Sequence, residues 1–329
     1  MNSEKTLMRP KTYLRDLIRH INKAQHRVYL LALVIADEDE TRTLMTALEQ
    51  AAQRGVKVSV ASDMVFTYRE LGVAGRKKHY VRTQLARMRS MRSKLQAQGA
   101  NVTWLGQHGI TLYSRRTHAK WSIVDNTVYT FGGVNLYSVG VENLDYMFRI
   151  EDTSLADHLA SQQDMFVREN KSGRAQPSHD FGLGDNVALI DGGMIGDSII
   201  YRHARRLASK AVHIIYVSQY APTGKLGKII QSRRHELYYN PAAKVEFFGR
   251  SLIHWMEFLR GFRSLYTRRP YIHAKFMIFT MADGERVAIT GSHNFLAGNA
   301  IAGAREIALE TRDPAVITQL ETFLDKYIK

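Results

Sequence analysis

His118-Ala119-Lys120-Trp121-Ser122-Ile123-Val124-Asp125, a short apolar run and then Gly132-Gly133-Val134-Asn135 make one stretch, and the chain contains it twice. The second copy reads His273-Ala274-Lys275-Phe276-Met277-Ile278-Phe279, another apolar run and Gly291-Ser292-His293-Asn294. In both, His and Lys stand two apart, which on a β-strand turns the two side chains to one face. A turn follows, at Asp125-Asn126 in the first copy and Ala282-Asp283-Gly284 in the second. A returning strand then carries Asn back beside the imidazole. Each copy therefore predicts a hairpin with His, Lys and Asn gathered at one end.

The flanking sequence supplies the layers around these hairpins. Leu14, Leu17, Ile18 and Ile21 recur at helical spacing, Val28 to Ile35 reads as a buried strand, Thr41 to Arg54 as a helix and Val56 to Val60 as a strand opened by Gly55. Asn101 to Leu105 is a further strand before the first motif. The second half repeats the order, with a strand from Val187 to Ile190, a helix from Ile199 to Leu207 and a strand from Ala211 to Ser218. Alternating helices and strands predict an α/β fold whose mixed sheets are mostly parallel and flanked by helices. Residues 171–186 are polar, carry Gly173, Pro177, Gly182 and Gly184 without periodicity, and read as a linker between lobes 1–170 and 187–329.

At 329 residues the chain is long enough to bury two cores. It has no cysteine, which excludes disulfides, thiolate nucleophiles and Cys-ligated zinc. Met1 to Thr6 has no apolar core, so no signal peptide is expected. The longest apolar run, Val28 to Ala36, is too short to cross a bilayer. The net charge of +15 favours polyanionic partners, either nucleic acid or an anionic lipid surface. Part of that charge is clustered. Arg76, Lys77, Lys78, Arg82, Arg87, Arg89, Arg92 and Lys94 surround a stripe of Val81, Leu85, Met88 and Leu95, a pattern that suits a bilayer surface or a helix packed on the lobe with a solvated basic face. Ser251 to Tyr266, rich in aromatic residues beside arginines, reads as a headgroup interface or an ordinary core helix.

His118, Lys120, Asp125, Gly132, Gly133 and Asn135 match the HxKxxxxD…GGxN signature of the phospholipase D superfamily, and the second copy matches HxK…GSxN. The run from Gly132 to Glu151 resembles the cardiolipin synthase branch. Thr280 stands where Asp125 stands in the first copy, and the second turn is longer. The resemblance implies a phospholipase D fold, with two similar lobes related by a pseudo-twofold. It implies His118, Lys120, Asn135, His273, Lys275 and Asn294 as the catalytic set. Asp145 and Glu306 stand where the family places a carboxylate behind a histidine, and which of them serves which histidine is open. Asp125 is expected to be a supporting turn or interlobe hydrogen-bond group rather than a reacting one.

Two such hairpins facing each other supply what metal-free attack on a phosphodiester needs: a nucleophilic imidazole, a second imidazole as proton donor and acceptor, and cations around the non-bridging oxygens. The resemblance points to His118 as nucleophile and His273 as acid and base, although the symmetry of the motifs leaves the order open. Neither a cofactor nor a metal is expected, since a lysine beside each histidine opposes a bound cation. The expected enzyme is a phosphatidyltransferase of the cardiolipin synthase type, working through a phosphohistidine on anionic phospholipids, cytoplasmic and peripheral on the inner face of the cell membrane. The alternatives are a phospholipase D-type hydrolase, a metal-independent nuclease acting on nucleic acid through the same site, and a catalytically silent basic scaffold.

Overall fold

The computed structural model describes residues 3–70, 78–106, 115–244, 251, 253, 254, 257, 258 and 261–329. Its first half begins with β1 (Lys5–Met8), α1 (Pro10–Lys23), β2 (Arg27–Ala32), α2 (Arg42–Gln53) and β3 (Lys57–Asp63). Then come α3 (Met64–Glu70), α4 (Lys78–Ala97), β4 (Asn101–Leu105), the motif hairpin β5 (Trp121–Val124) and β6 (Thr127–Thr130), α5 (Ser138–Glu142), β7 (Met147–Glu151) and α6 (Thr153–Ser172). Pro10 starts α1, where its missing N–H costs nothing, and Tyr13, Leu14, Leu17 and Ile21 form its buried face.

The second half repeats this plan. It runs through β8 (His179–Leu183), β9 (Asn186–Gly192), α7 (Ile199–Lys210), β10 (His213–Val217), α8 (Gly224–Gln231), β11 (Arg234–Tyr238), the second hairpin β12 (Phe276–Thr280) and β13 (Arg286–Gly291), and β14 (Arg305–Thr311). Among the described residues the sheets are seven-stranded, in the orders β1-β7-β6-β5-β2-β3-β4 and β11-β10-β12-β13-β14-β9-β8. Reading the second backwards superposes six strands on the first, with β4 and β8 as the unmatched edges.

This α/β architecture with two mixed sheets is the expected one, but the emphasis on parallel pairing is corrected. Only β2–β3, β3–β4 and β10–β11 pair in parallel among the described strands. Each motif hairpin and the next strand, β7 or β14, enter the sheet antiparallel, and β1 and β9 pair antiparallel to β7 and β14. The stretch 171–186 is also more than a linker, because β8 lies within it and pairs with β9 from His179–Ile190 to Leu183–Asn186.

The two sheets share an apolar core. Trp121, Phe131, Tyr146 and Phe148 from the first half pack in one cluster with Phe276, Ile307 and Phe323 from the second. Burying each such side chain contributes roughly 1.5–3 kcal/mol, so the halves are joined by a core rather than a hinge. The helix Pro314–Phe323 lies across both, and its Gln319 accepts from the Leu7 amide at 2.7 Å and donates to the Lys5 carbonyl at 2.8 Å.

The two basic segments divide differently. Helix α4 packs through Met88, Met91 and Leu95 and leaves Arg82, Arg87, Arg89 and Lys94 exposed, while Arg76 and Lys77 lie outside the described residues. In the stretch from 251 to 266, Ile253, Phe262 and Tyr266 are buried and Phe258 and Leu265 are exposed. Leu252, Trp255, Leu259 and Arg260 lie outside the described residues.

Candidate active site

Each HxK segment sits just before its hairpin, docked against the opposite half. The amides of His118 and Ala119 both donate to the Arg305 carbonyl, at 2.8 and 2.7 Å. Those of His273 and Ala274 both donate to the Leu144 carbonyl, each at 2.9 Å. The residues that follow those two acceptors are Glu306 and Asp145. This docking therefore decides the carboxylate pairing left open above, and it is crosswise. His273 Nδ1 lies 2.5 Å from Asp145 Oδ2, and His118 Nδ1 lies 3.6 Å from Glu306 Oε1.

His118, Lys120, Asn135, His273, Lys275 and Asn294 all line one cavity of about 620 Å³. Lys120 Nζ donates to the His118 carbonyl at 2.7 Å, and Lys275 Nζ donates to the His273 carbonyl and stands 3.2 Å from His273 Nδ1. The carboxamides are oriented by their oxygens. Asn135 Oδ1 accepts from the Val34 amide at 3.3 Å and Asn294 Oδ1 from Ser218 Oγ at 3.3 Å, which leaves each Nδ2 as the donor available to a ligand.

The glycines before these asparagines are required by close approach. A Cβ on Gly132 would lie 1.8 Å from the Tyr146 carbonyl oxygen, and one on Gly291 would lie 2.2 Å from that of Ile307. A Cβ on Gly133 would lie 2.6 Å from Asp145 Oδ2 and 3.0 Å from Lys275 Nζ. Ser292, at the matching place in the second copy, instead donates to Glu306 Oε2 at 2.5 Å.

Charge in the site is set by burial. Burial pushes the Asp145 carboxyl up, but His273, Lys275 and the Tyr146 amide outweigh it and hold the group below its ordinary range. Burial carries Glu306 up to about 7 against Lys120, Ser292, Lys275 and Asn299. Burial also lowers Lys275 to about 7, with Lys120 adding and Asp145 opposing. His273 falls to about 4 through burial and Lys275, against Asp145. His118 is held well below its usual value by burial and then by Lys120, Lys275, Arg116 and His293. Without a bound anion both imidazoles are neutral at pH 7, the form a nucleophile requires, and an arriving phosphate raises both.

A consequence for stability follows from Glu306. Its folded value lies above the ordinary 4.5, so its contribution is full below that pH and is lost as pH rises through about 7. Glu306→Gln is expected to gain on the parent by on the order of 1 kcal/mol between pH 5 and pH 8 in denaturant titrations. Parallel pH profiles for the two proteins would contradict this.

Sequence reasoning missed several cavity residues. Arg116 lines the cavity, is buried, and is held by an ion pair with Asp63. The Phe66 ring meets His118 edge-on at 4.9 Å between centroids, and Asn299 donates to Glu306 Oε1 at 3.2 Å. Arg116, two residues before His118, continues the His-Lys face of an extended chain and was legible on that ground, whereas Phe66 and Asn299 carry no local signal. Arg69, Arg116, Lys120, Lys244 and Lys275 line this cavity, and no carboxylate is among its described lining residues.

Asp125 is not brought to the site. Its carboxylate accepts from the amides of Gln25, His26 and Arg27 at 3.0, 2.9 and 3.0 Å, fixing the entry into β2 within its own half. At the matching place in the second half the Thr280 carbonyl accepts from the Val212 amide at 2.8 Å, a single backbone bond at the entry into β10. Of the two supporting roles expected for the Asp of the motif, turn or interlobe, the structure thus shows the turn.

Residues 17–166 match a family model described as "Cardiolipin synthase, PLD-like domain". Over that first half the chain is phospholipase D-like. Its fold is similar to that of phosphatidylserine synthase from Haemophilus influenzae Rd KW20, with a TM-score of 0.71 and 13% identity over 99% of this chain and 86% of that one. It is also similar to polyphosphate kinase from Porphyromonas gingivalis, with a TM-score of 0.62 and 13% identity over 98% of this chain and 46% of that one. At such identities the likeness speaks for the fold. No curated protein matches by sequence. The family model ends before the second motif, and it is the geometry of this chain that brings His273, Lys275 and Asn294 of the second half to the same cavity.

Proposed function

We propose that this phospholipase D-like chain is a phosphatidyltransferase of the cardiolipin synthase type, acting on phospholipid phosphodiesters through a covalent phosphohistidine. The observation that carries the reading is that two histidines, each backed by a carboxylate from the other half, share one cavity lined by cations and, among its described residues, by no acid. In the first half-reaction one imidazole Nε2 forms a bond to phosphorus as the P–O bond to the leaving group breaks, and the other imidazole gives its proton to that oxygen. In the second, an incoming hydroxyl forms the new P–O bond, its proton goes to the second imidazole, and the P–N bond breaks. Lys120, Lys275 and the Nδ2 groups of Asn135 and Asn294 stabilise the charge that develops on the phosphate oxygens.

The acceptor in this reading is a second lipid such as phosphatidylglycerol. In keeping with attachment at the inner face of the cell membrane rather than insertion, no helix among the described residues is long and apolar enough to cross a bilayer. The basic cavity and the charge of +15 also suit a nucleic-acid phosphodiester, which makes a nuclease the second reading.

The test incubates the protein with phosphatidylglycerol vesicles and, separately, with single- and double-stranded DNA, all in EDTA. Cardiolipin and glycerol are the expected products, and His118→Ala is expected to remove at least about 10³-fold of the rate. Phosphatidic acid alone, or DNA cleavage without lipid turnover, would replace the transferase reading with the hydrolase or nuclease one.

A further inference from the structure

The two crosswise pairs are not equivalent. Asp145 reaches its histidine at 2.5 Å, whereas Glu306 stands 3.6 Å from His118 and is engaged by Ser292 and Asn299. A second carboxylate lies behind Glu306. Asp191 on β9 is its cross-strand partner in the antiparallel β14–β9 ladder, so the two side chains project from the same face of the sheet. Both are buried, at 1% and 0% exposure.

Asp191 makes no ion pair among the described residues. Its carboxylate accepts from Ser198 Oγ at 2.6 Å and from the Ile200 amide at 3.4 Å, which are neutral donors. Among the described residues the first half has no counterpart, since Met147, two residues beyond Asp145, is met across the ladder by Met8, the last residue of β1.

We propose that Asp191 is a positioning residue that makes the two histidines unequal, so that His118 attacks phosphorus and His273 carries the proton. Two buried carboxylates facing each other do not both ionise cheaply, and the pair retains a proton between them. Glu306 faces His118, Lys120 and Lys275 from the two HxK segments, Ser292 and Asn299 from the second motif and the short helix after it, and Asp191 from β9. Among the described residues Asp191 faces Ser198, the amides at the start of α7 and Glu306. The consistent direction is that burial pushes Asp191 up to about 7, with Glu306 adding and Ser198 opposing.

Glu306 therefore offers His118 less than a full negative charge, and His118 stays neutral with its lone pair free. Asp145, ionised and in contact, makes His273 the more basic ring. In balance, the His118 Nε2 lone pair forms the P–N bond while the P–O bond to the leaving group breaks and His273 gives that oxygen its proton. The acceptor hydroxyl then returns a proton to His273 as its oxygen displaces His118 from phosphorus.

The roles rest on the phosphodiester reading above, but the electrostatic claim is tested without turnover. Histidine ¹⁵N resonances are titrated in the parent and in Asp191→Asn, which keeps an acceptor for Ser198 and Ile200. The His118 pKa is expected to rise by about one unit in the variant, a tenfold change in proton affinity, and that of His273 by less than about 0.3. A His118 value that does not move, or an equal movement of both rings, overturns the proposal. Should Asp191→Asn not fold, Asp191→Ser, which removes the charge but keeps a hydroxyl, carries the same expectation.

In the parent, quenching turnover in alkali is expected to leave labelled phosphoryl on His118, and label on His273 overturns the assignment of roles. A protein that binds and turns over no phosphodiester would sink the functional reading, while the titration would still decide the place of Asp191.

Discussion

Asp145→Asn is expected to lower kcat by about 10³–10⁴-fold while shifting the thermal midpoint by no more than about 5 °C. Asp145 Oδ2 accepts from His273 Nδ1 at 2.5 Å, and Oδ1 accepts from the amides of Gly133 and Tyr146 at 3.1 and 2.8 Å. Asparagine keeps the oxygen that the two amides need, so the loop before β7 stays in place. It presents an NH2 group to His273 instead of an acceptor, which turns the ring to the wrong tautomer and removes the negative charge that stabilises its protonated form. The loss should therefore fall on kcat, and KM should change little. Measured kcat within tenfold of the parent would mean that His273 does not carry the proton, or that another group holds it.

The second large effect is on stability. Gly132→Ala is expected to cost at least about 3 kcal/mol or to prevent folding, as read by chemical denaturation. Its Cβ would lie 1.8 Å from the Tyr146 carbonyl oxygen, and Tyr146 has no room to yield. The Tyr146 hydroxyl is 2.6 Å from Thr290 Oγ1, and its ring packs edge-on against Phe148 and Phe323 in the core shared by both halves. A control is available in the second turn. Gly284 has φ +87° with nothing within 4 Å of an added Cβ, so Gly284→Ala should cost only about 1 kcal/mol of backbone strain. Equal losses at the two positions would show that the strain of a positive φ, and not the close approach at Gly132, governs stability here.

Both effects show where function and fold meet in this chain. The glycines that allow the ends of β6 and β13 to pass close to Tyr146 and Ile307 also place Asn135 and Asn294 at the cavity. The contacts that dock the halves, through the Leu144 and Arg305 carbonyls, are one residue from the carboxylates that brace the histidines. A substitution in this seam therefore disturbs packing and chemistry together, whereas one on the solvated face of α4 touches neither.

What was legible in the sequence was local. The two-residue spacing of His118 and Lys120, and of His273 and Lys275, together with the apolar runs and the glycines before Asn135 and Asn294, defined both hairpins and all six cavity groups, because strand periodicity and turn chemistry are carried by neighbouring residues. The helices and strands from Pro10 to Asp63 and from Asn186 to Val217 were legible for the same reason, whereas β1 carried no such signal.

The rest depended on contacts between residues far apart in the chain. Asp125 carries a motif position yet serves a turn about a hundred residues upstream in its own half, and the polar stretch around His179 became β8 only because β9 offered it an edge. The crosswise bracing of His273 by Asp145 and of His118 by Glu306, and the presence of Asp191 behind Glu306, arise where two sheets meet and where two strands pair. No periodicity reports such meetings, since the energy that selects them is the burial of the shared core, and only the packed structure decides which side chains that burial brings face to face.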